Sequence, residues 1–573
     1  MKRSGYLIIP LLALLAAALI LLRGNPAPAG AQTGYLITGF VRDRHGTPIQ
    51  DAQASLLAPG VTEPLADTLT EPDGRFTLVF AENPPDGLVV RVTREHFMPA
   101  EDPLDRAAMQ ALRSSGSAVL PDVTLLRRID ASFWIATLVF VGMLALIAFG
   151  KLHNTLAALL GASVILAFSY LGRPLSEDLY ILNFTEALYY VDWDVIFLIM
   201  GMMIIIAAVE RTGIFQWLAF SAYRLSGGRI WLLMPILMLI TGVASAFLDN
   251  VTTMLLMTPI TVQIALALGI NPLVLLLPEV MSSNVAGIST LIGTPTNILI
   301  GSFGGISFSA FLSNLTPGVL LAMLGLILYS EYTNRRDLHP GEAGAMSQLL
   351  LDKLAERAHI TEPDHLKKAG VVGAAMVVLF LIGERIGLVP AVTALMGATA
   401  LLVWIRPNVE EMIEAVDWTT LVFFMALFIV VGAIQEVGLV SVIADAIGRL
   451  VGANLLGGVL AVTWLSAVLS TVIANIPFTA AMLPVVGYLT ATIPGAETKV
   501  LFYCLSVGSA MGGNGSLIGA SANMVTAGIA ERAGYPITYG HFLKRGLPAL
   551  LITVGLASLW LIIRFILLRS TGA

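Results

Sequence analysis

Apolar runs of bilayer-crossing length recur from Ile129 to Arg569, and two of them are interrupted by nearly the same polar phrase. The first reads Ala246-Phe247-Leu248-Asp249-Asn250-Val251-Thr252-Thr253 and continues to Pro259. The second reads Val472-Ile473-Ala474-Asn475-Ile476-Pro477-Phe478-Thr479 and continues to Pro484. The match is wider than the phrase. Asp192-Trp193 and Asp417-Trp418, Gly213 and Gly438, Asn250 and Asn475, and Pro259 and Pro484 all stand 225 residues apart. A companion pair, Gly293-Thr294-Pro295-Thr296-Asn297 and Gly519-Ala520-Ser521-Ala522-Asn523, stands 226 apart. Inside a bilayer, backbone that leaves the helix must find partners in protein or in a water-lined cavity. Helix-breaking polar sequence in matching positions of two halves therefore points to a transporter's binding site.

Of 573 residues, 57% are hydrophobic and 12% charged, against about 25% charged in soluble domains. The apolar runs approach the ~20 residues of a helical crossing. The expected fold class is an all-α polytopic membrane protein with inverted repeats, two re-entrant hairpins and broken helices, plus a small N-terminal extracytoplasmic β-sandwich. A net charge of −6 argues against a nucleic-acid partner. The single Cys504 provides neither a disulfide framework nor a thiolate metal site. Seven His residues are scattered without ligand spacing. The sequence has no His-Glu-x-x-His, no Gly-x-Ser-Gly nucleophile element and no protease-type aspartate pair, so an intramembrane enzyme is not expected. A receptor would need an output domain, and the largest inner loop, 332–367, is too short for one.

Lys2 and Arg3, an apolar run from Tyr6 to Leu22 and a Pro/Ala/Gly stretch to Gln32 make residues 1–32 a signal peptide or an uncleaved signal anchor; either one exports the adjoining domain. Residues 33–127 alternate in short runs between turns. Gly39 to Ile49, Ala52 to Leu57, Glu71 to Phe80, Val89 to Thr93 and Val119 to Leu126 carry the strand signals. Gly39, Val41, Asp43, Gly46, Pro48 and Ala52, with Thr70, Asp73, Gly74 and Phe76, resemble the carboxypeptidase regulatory-like, transthyretin-like β-sandwich. That resemblance implies an accessory domain, either a spacer or a ligand binder.

The first transporter half covers 128–331, with spans near 131–150, 153–172 and 193–210, an interrupted region at 231–268, a broken span at 273–312 and a span at 317–331. A cytoplasmic loop occupies 332–368. The second half, 369–573, has spans near 369–388, 391–405 and 419–437, an interrupted region at 455–490, a broken span at 499–530 and a last helix at 547–568. Lys151, Arg211, Arg224, Arg229, Arg335, Arg336, Lys353, Arg357, Lys367 and Lys368 fall on one side, assigned to the cytoplasm. Glu177, Asp178, Glu186 and Asp192 fall on the other, while Arg564 and Arg569 run against the count. If the interrupted regions are hairpins that enter and leave on one side, the repeats run in opposite directions; as full crossings they would run parallel. The mid-run polar motif and the charge bias favour hairpins.

The candidate binding residues are Asp249, Asn250, Thr252, Thr253, Gly293, Thr294, Asn297, Asn475, Pro477, Thr479, Asn514, Gly519, Ser521 and Asn523. Exposed carbonyls at such breaks suit Na⁺, and amides at half-helix N-termini suit an anion. Na⁺ is expected at Asn250, Gly293 and Asn297 and again at Asn475, Gly519 and Asn523. The competing explanation is that Gly, Ser and Asn only let helices pack closely. Asp249 and Glu279 are the proton-coupling candidates, because an intramembrane carboxylate costs roughly 2.5–3.5 kcal/mol on insertion scales and marks an ion pathway by default. Burial favours the acid and a bound cation favours the carboxylate, a balance that permits exchange of H⁺ against Na⁺. Asp249 has an alternative role as a cap on the hairpin backbone. Glu210, Glu384 and Glu436 stand at span ends, where a solvated carboxylate is ordinary.

Ser245 to Pro259, Gly287 to Asn297, Asn475 to Pro484 and Gly512 to Glu531 resemble the ion transporter superfamily of arsenite permeases, sodium–proton antiporters and citrate-transporter-like dicarboxylate symporters. The resemblance is greatest to the melanosomal P protein group, through Leu248 to Leu256 and Gly512 to Asn523. It implies a scaffold and a transport domain, an elevator-like shift and a homodimer. Two departures stand out: Ala474 and Thr294 occupy positions where similar proteins carry an acid, which leaves Asp249 as the carboxylate of the four motifs. The expected function is secondary active transport of a small ion or small organic anion across the bacterial inner membrane, coupled to Na⁺ or H⁺ with no other cofactor. Arsenite or antimonite efflux, Na⁺/H⁺ antiport and a passive anion channel are the alternatives. The motifs contain no Arg or Lys to pair with a dicarboxylate.

Overall fold

The computed structural model describes residues 34–44, 46–61, 63–338, 359–452 and 454–568. The signal or anchor segment 1–32, Lys353, Arg357 and Arg569 lie outside the described residues. The chain divides into two units, meeting at Arg128 and Ile129.

The first unit has strands β1 (Tyr35–Asp43), β2 (Gln53–Leu57), β3 (Ala66–Leu69), β4 (Arg75–Phe80), β5 (Val89–Thr93), β6 (Phe97–Met98) and β7 (Ala100–Pro103), helix α1 (Arg106–Ser115), and strands β8 (Ser117–Val119) and β9 (Val123–Arg127). One sheet has the order β4-β1-β9-β6, with β8 also on β1, and the other β3-β2-β5-β7. Alternate residues of both point into one core: Ile37 and Val41, Phe76 and Leu78, Ala54 and Leu56, Val90 and Val92. The motif residues hold the turns. Asp43 accepts from the Thr47 amide at 2.8 Å, Asp73 from that of Arg75 at 3.0 Å, and the buried Thr70 hydroxyl joins Ala52 N to Ile49 O. Helix α1 was not expected, although its signals are local: Asp105 caps its start and Gly116 its end.

The second unit is helical, and nine of its described helices are long and apolar enough to cross a membrane. Its first half comprises α2 (Ala131–Ala148), α3 (Asn154–Ala167), α4 (Phe184–Tyr189), α5 (Trp193–Glu210), α6 (Ile214–Ser226), α7 (Ile230–Phe247), α8 (Asn250–Ala267), α9 (Leu273–Ala286), α10 (Pro295–Gly304) and α11 (Phe308–Leu338). Next come α12 (Pro363–Ile386), α13 (Pro390–Ile405), α14 (Val409–Glu414), α15 (Trp418–Glu436), α16 (Leu439–Val451), α17 (Leu455–Ser470), α18 (Asn475–Thr492), α19 (Val500–Gly512), α20 (Ser521–Arg532) and α21 (Tyr539–Ile562).

The repeat interval is written into the element boundaries. Helices α4 and α14, α6 and α16, and α8 and α18 have matching bounds at both ends, and an asparagine caps each of the first pair, Asn183 accepting from Glu186 N and Asn408 from Glu410 N. Helices α6 and α16 start from Gly213 and Gly438, at φ of 77° and 87°, which is why glycine stands at both positions. Packing follows the same rule with the halves exchanged: α13 lies on α5 and α3 on α15, while α8 lies on α20 and α10 on α18. Direction is fixed by two side-chain contacts. Tyr190, before α5, donates to Glu436 at the end of α15 at 2.5 Å. Arg211, after α5, pairs with Glu411, before α15, at 2.7 Å. The start of each helix is tied to the end of its counterpart, so α5 and α15 are antiparallel.

Two boundaries differ from expectation. The first broken span ends at Gly304, where Gly305 turns left-handed and closes the helix with its N–H on Gly301 O; α11 then runs 31 residues from Phe308. The last helix begins at Tyr539 rather than near 547, because Thr538 caps it and its first turns contain Lys544 and Arg545.

Candidate functional site

Each interrupted region is a pair of helices meeting at a tip, α7 with α8 at Leu248-Asp249 and α17 with α18 at Thr471 to Ala474. Each broken span is two helices around a short 3-10 turn, at Gly287–Ser289 and Gly513–Gly515. Hydroxyls bolt each tip to the break of its own half. Ser245 donates to Ser283 O at 3.0 Å, and its counterpart Ser470 to Ser509 O at 2.6 Å. Thr290 donates to Ala246 O and Ser516 to Thr471 O. The same two hydroxyls accept from Gly293 N and Gly519 N, each at 3.1 Å. Both glycines are required by close approach: a Cβ on Gly293 would lie 2.3 Å from Gly287 O, and one on Gly519 2.8 Å from Ser470 O.

An asparagine then spans each break. Asn297 Nδ2 donates to Ile288 O and Thr290 O at 3.0 and 2.7 Å, and Asn523 Nδ2 to Gly513 O and Ser516 O at 2.8 and 2.9 Å. These bonds satisfy carbonyls that the broken helix leaves open. The side-chain oxygens go to different partners. Asn297 Oδ1 accepts from Ser506 at 2.6 Å, whereas Asn523 Oδ1 accepts from Asn284 at 3.0 Å. Asn284 also donates to Asn514 Oδ1 at 2.9 Å and accepts from Asn250 Nδ2 at 2.7 Å. Four buried amides, from Asn250, Asn284, Asn514 and Asn523, thus form one connected cluster that joins the halves.

Asn284 and Ser506 were missed by the sequence reading. The signal for Asn284 was the polar run Ser282-Ser283-Asn284 in apolar sequence, but its counterpart is Ala510, so a comparison of repeats passes over it.

Of the expected residues, Asn250, Asn514 and Asn523 come together, and Asn475 meets Gly519 by donating its backbone N–H to Gly519 O at 3.2 Å. Asn250 bonds Asn284 rather than joining Gly293 and Asn297, so the expected triplet is not assembled by direct side-chain bonds. Thr294 caps α10 and shares a 2.9 Å hydroxyl contact with Thr296. Thr479 donates to Asn475 O at 2.7 Å, Pro477 is buried in the first turn of α18, and half-buried Ser521 opens α20. Thr253 is buried with no partner for its hydroxyl.

Asp249 caps α8. Its Oδ1 accepts from Thr252 N at 2.9 Å and its Oδ2 from Thr252 Oγ1 at 2.5 Å. Asp417 and Thr420 repeat this arrangement at the exposed start of α15, at 3.1 and 2.5 Å. Glu279, the other candidate, is wholly buried on α9 and accepts from Thr241 at 2.7 Å.

Residues 144–498 match the sequence model of a family described as Citrate transporter. An uncharacterized transporter of Mycobacterium tuberculosis is 34% identical over 441 residues, covering 76% of this chain and 99% of that one. The human P protein is 32% identical over 513 residues, covering 75% of this chain and 60% of that one. Among solved structures, Neisseria gonorrhoeae MtrF, titled as one of a class of antimetabolite efflux pumps, aligns over 72% of this chain and 95% of its own. The TM-score is 0.50 at 12% identity, a likeness of fold alone.

Proposed function

This chain belongs to the citrate transporter family of membrane transporters, and we propose that it is a secondary active carrier of a small organic anion or small ion, coupled to Na⁺ or H⁺, working by alternating access between inverted halves. The observation that carries the reading is one amide cluster in which Asn250 of the first tip and Asn284 of α9 meet Asn514 and Asn523 of the second break, with each tip bolted to the break of its own half. The tie of Tyr190 to Glu436 and of Arg211 to Glu411 supports inversion of the repeats. Re-entry of the hairpins is supported by where their ends lie. Helix α7 starts directly after α6, and a cleft lined by Gly213, Gln216, Pro259 and Gln263 brings the far end of α8 back to α6. The tip lies beside the break between the 14-residue α9 and the 10-residue α10, bonded to it through Ser245 and Thr290.

In this reading the hairpins and broken helices form the moving body, α5 and α15 with α13 and α3 belong to the scaffold, and two copies associate through it in a bacterial inner membrane. The β-unit would stand on the extracytoplasmic side. Substrate sits between Asn250 and Asn475, held by amide donors at the starts of α8, α18, α10 and α20. Coupling draws on Asp249 or Glu279 and on the oxygens of Asn297, Gly293, Gly519, Asn523 and Asn475. The amide-only chemistry of the cluster favours one second reading, efflux of an uncharged oxyacid such as arsenite.

Purified protein in liposomes, offered citrate or arsenite under imposed Na⁺ and pH gradients, tests both. Uphill accumulation is expected for one of them; flux that follows only the solute's own gradient would overturn the carrier in favour of a passive channel. Asp249→Asn keeps a capping side chain and should keep the fold while altering the Na⁺ or pH dependence of flux. Unaltered flux across both series removes Asp249 from coupling.

A further inference from the structure

Glu279 lies on α9, one turn before Ser283 and Asn284, and has no solvent exposure. Both arms of the first hairpin reach it. Thr241 of α7 donates to Oε1 at 2.7 Å. The Thr261 hydroxyl of α8 lies beside the carboxyl, but neither it nor Oε2 completes a well-formed hydrogen bond. Helices α7 and α8 hold no ionisable side chain between their ends. The charged side chains nearest on the packed helices, Asp337 of α11 and His541 and Arg545 of α21, line a cleft with Leu277, Pro278 and Met281, and the group bonded to the carboxyl is the Thr241 hydroxyl. An ionised carboxylate here would keep a full charge in a desolvated site with one donor and no counter-ion, which is the arrangement proteins avoid. A neutral acid would avoid that cost, and an O–H on Oε2 could turn to the Thr261 oxygen.

The second half holds nothing equivalent. The positions matching Glu279, Thr241 and Thr261 are Leu505, Ser466 and Val486, so packing at this point in the fold is met there without an acid. Asp249, by comparison, has both oxygens engaged by Thr252. We propose that Glu279 is the site of the coupling ion, and that the ion is a proton, bound as the carboxylic acid while the hairpin arms close on α9 and lost when their movement admits water. One carboxylate takes up one H⁺ and returns it; no other bond changes. This inference rests on the carrier reading above and names its coupling ion.

Infrared spectroscopy of the full chain in liposomes tests proton binding without reference to any substrate. The C=O stretch of a buried carboxylic acid is expected at neutral pH, lost in Glu279→Gln, and shifted to higher frequency in Thr241→Val, which removes the bond to Oε1. The second variant keeps the test decisive if the first does not fold. With citrate as the probe solute and a pH dye inside the vesicles, wild type should move protons with citrate. Glu279→Gln should lose that movement while citrate–citrate exchange persists. A band that neither variant changes, or proton movement that survives in Glu279→Gln, overturns the proposal. Absence of any citrate movement in wild type counts against citrate as the substrate, while the infrared result still decides Glu279.

Discussion

The two hairpin tips have one geometry and two chemistries. Shared between them are the hydroxyl bolts, Ser245 with Thr290 and Ser470 with Ser516, and the glycines that let tip and break touch. Unshared are the groups able to bind or exchange something: Asn284 against Ala510, Asn514 against Ile288, Glu279 against Leu505, Asp249 against Ala474. The paired residues fix tip to break in each half, and Asn284, Asn514, Glu279 and Asp249 are the positions at which the two halves differ in chemistry.

The largest expected effect falls on the shared set. Gly293→Ala puts a methyl within 2.9 Å of three backbone oxygens, those of Gly287, Ser245 and Ala246, none of which can rotate away. Overpacking of this kind costs about 1–3 kcal/mol in forgiving sites and more where only backbone can yield. Little folded protein should be recovered by size-exclusion chromatography in detergent. Gly519→Ala, whose nearest atom is at 2.8 Å, should be milder by a visible margin in recovered yield. Equal losses would mean that the two tips are clamped alike.

Next in size is the amide cluster. Asn284→Ala strands Asn250 Nδ2, Asn514 Oδ1 and Asn523 Oδ1 together, at about 1–3 kcal/mol for each buried group left unpaired. Ser506→Ala strands only Asn297 Oδ1 and should cost about 1 kcal/mol. The melting temperature of the purified protein should fall several-fold further for the first. Similar shifts would show that the cluster is no more than another packing contact.

How much of this was legible in the sequence obeys the same division. Comparing the halves found the tips and the breaks, because helix starts are marked by polar residues that the repeat keeps in place. It did not find α4 and α14, although they obey the same interval, since six residues are too few to show an apolar period. It could not find Asn284, which has no polar counterpart. The turn at Gly305 was hidden by the apolar sequence around Ser307-Phe308-Ser309, where hydropathy outweighed a local Gly and Ser signal. The expected start near 547 left out Lys544 and Arg545, but long basic side chains are compatible with the first turns of a membrane helix. The bonds between halves join residues more than 200 positions apart and have no sequence signature at all.

The smallest expected effect concerns the absent acid at Ala474, and it has a local cause. Asp249 caps α8 by accepting from the N–H and hydroxyl of Thr252. At the matching position α18 has Pro477, which offers neither donor. An acid at 474 would have lost both partners that make the cap worth having, so Ala474 and Pro477 belong together. Asp249→Ala should therefore cost about 1 kcal/mol, the usual value of an N-cap. In the second tip Ala474→Asp alone should destabilise, and Pro477→Thr added to it should recover about 1 kcal/mol that Pro477→Thr by itself does not give. Thermal unfolding of the four variants forms a double-mutant cycle. A coupling near zero would show that the difference between the tips is not one of capping, and that the acid was dispensed with for what it binds.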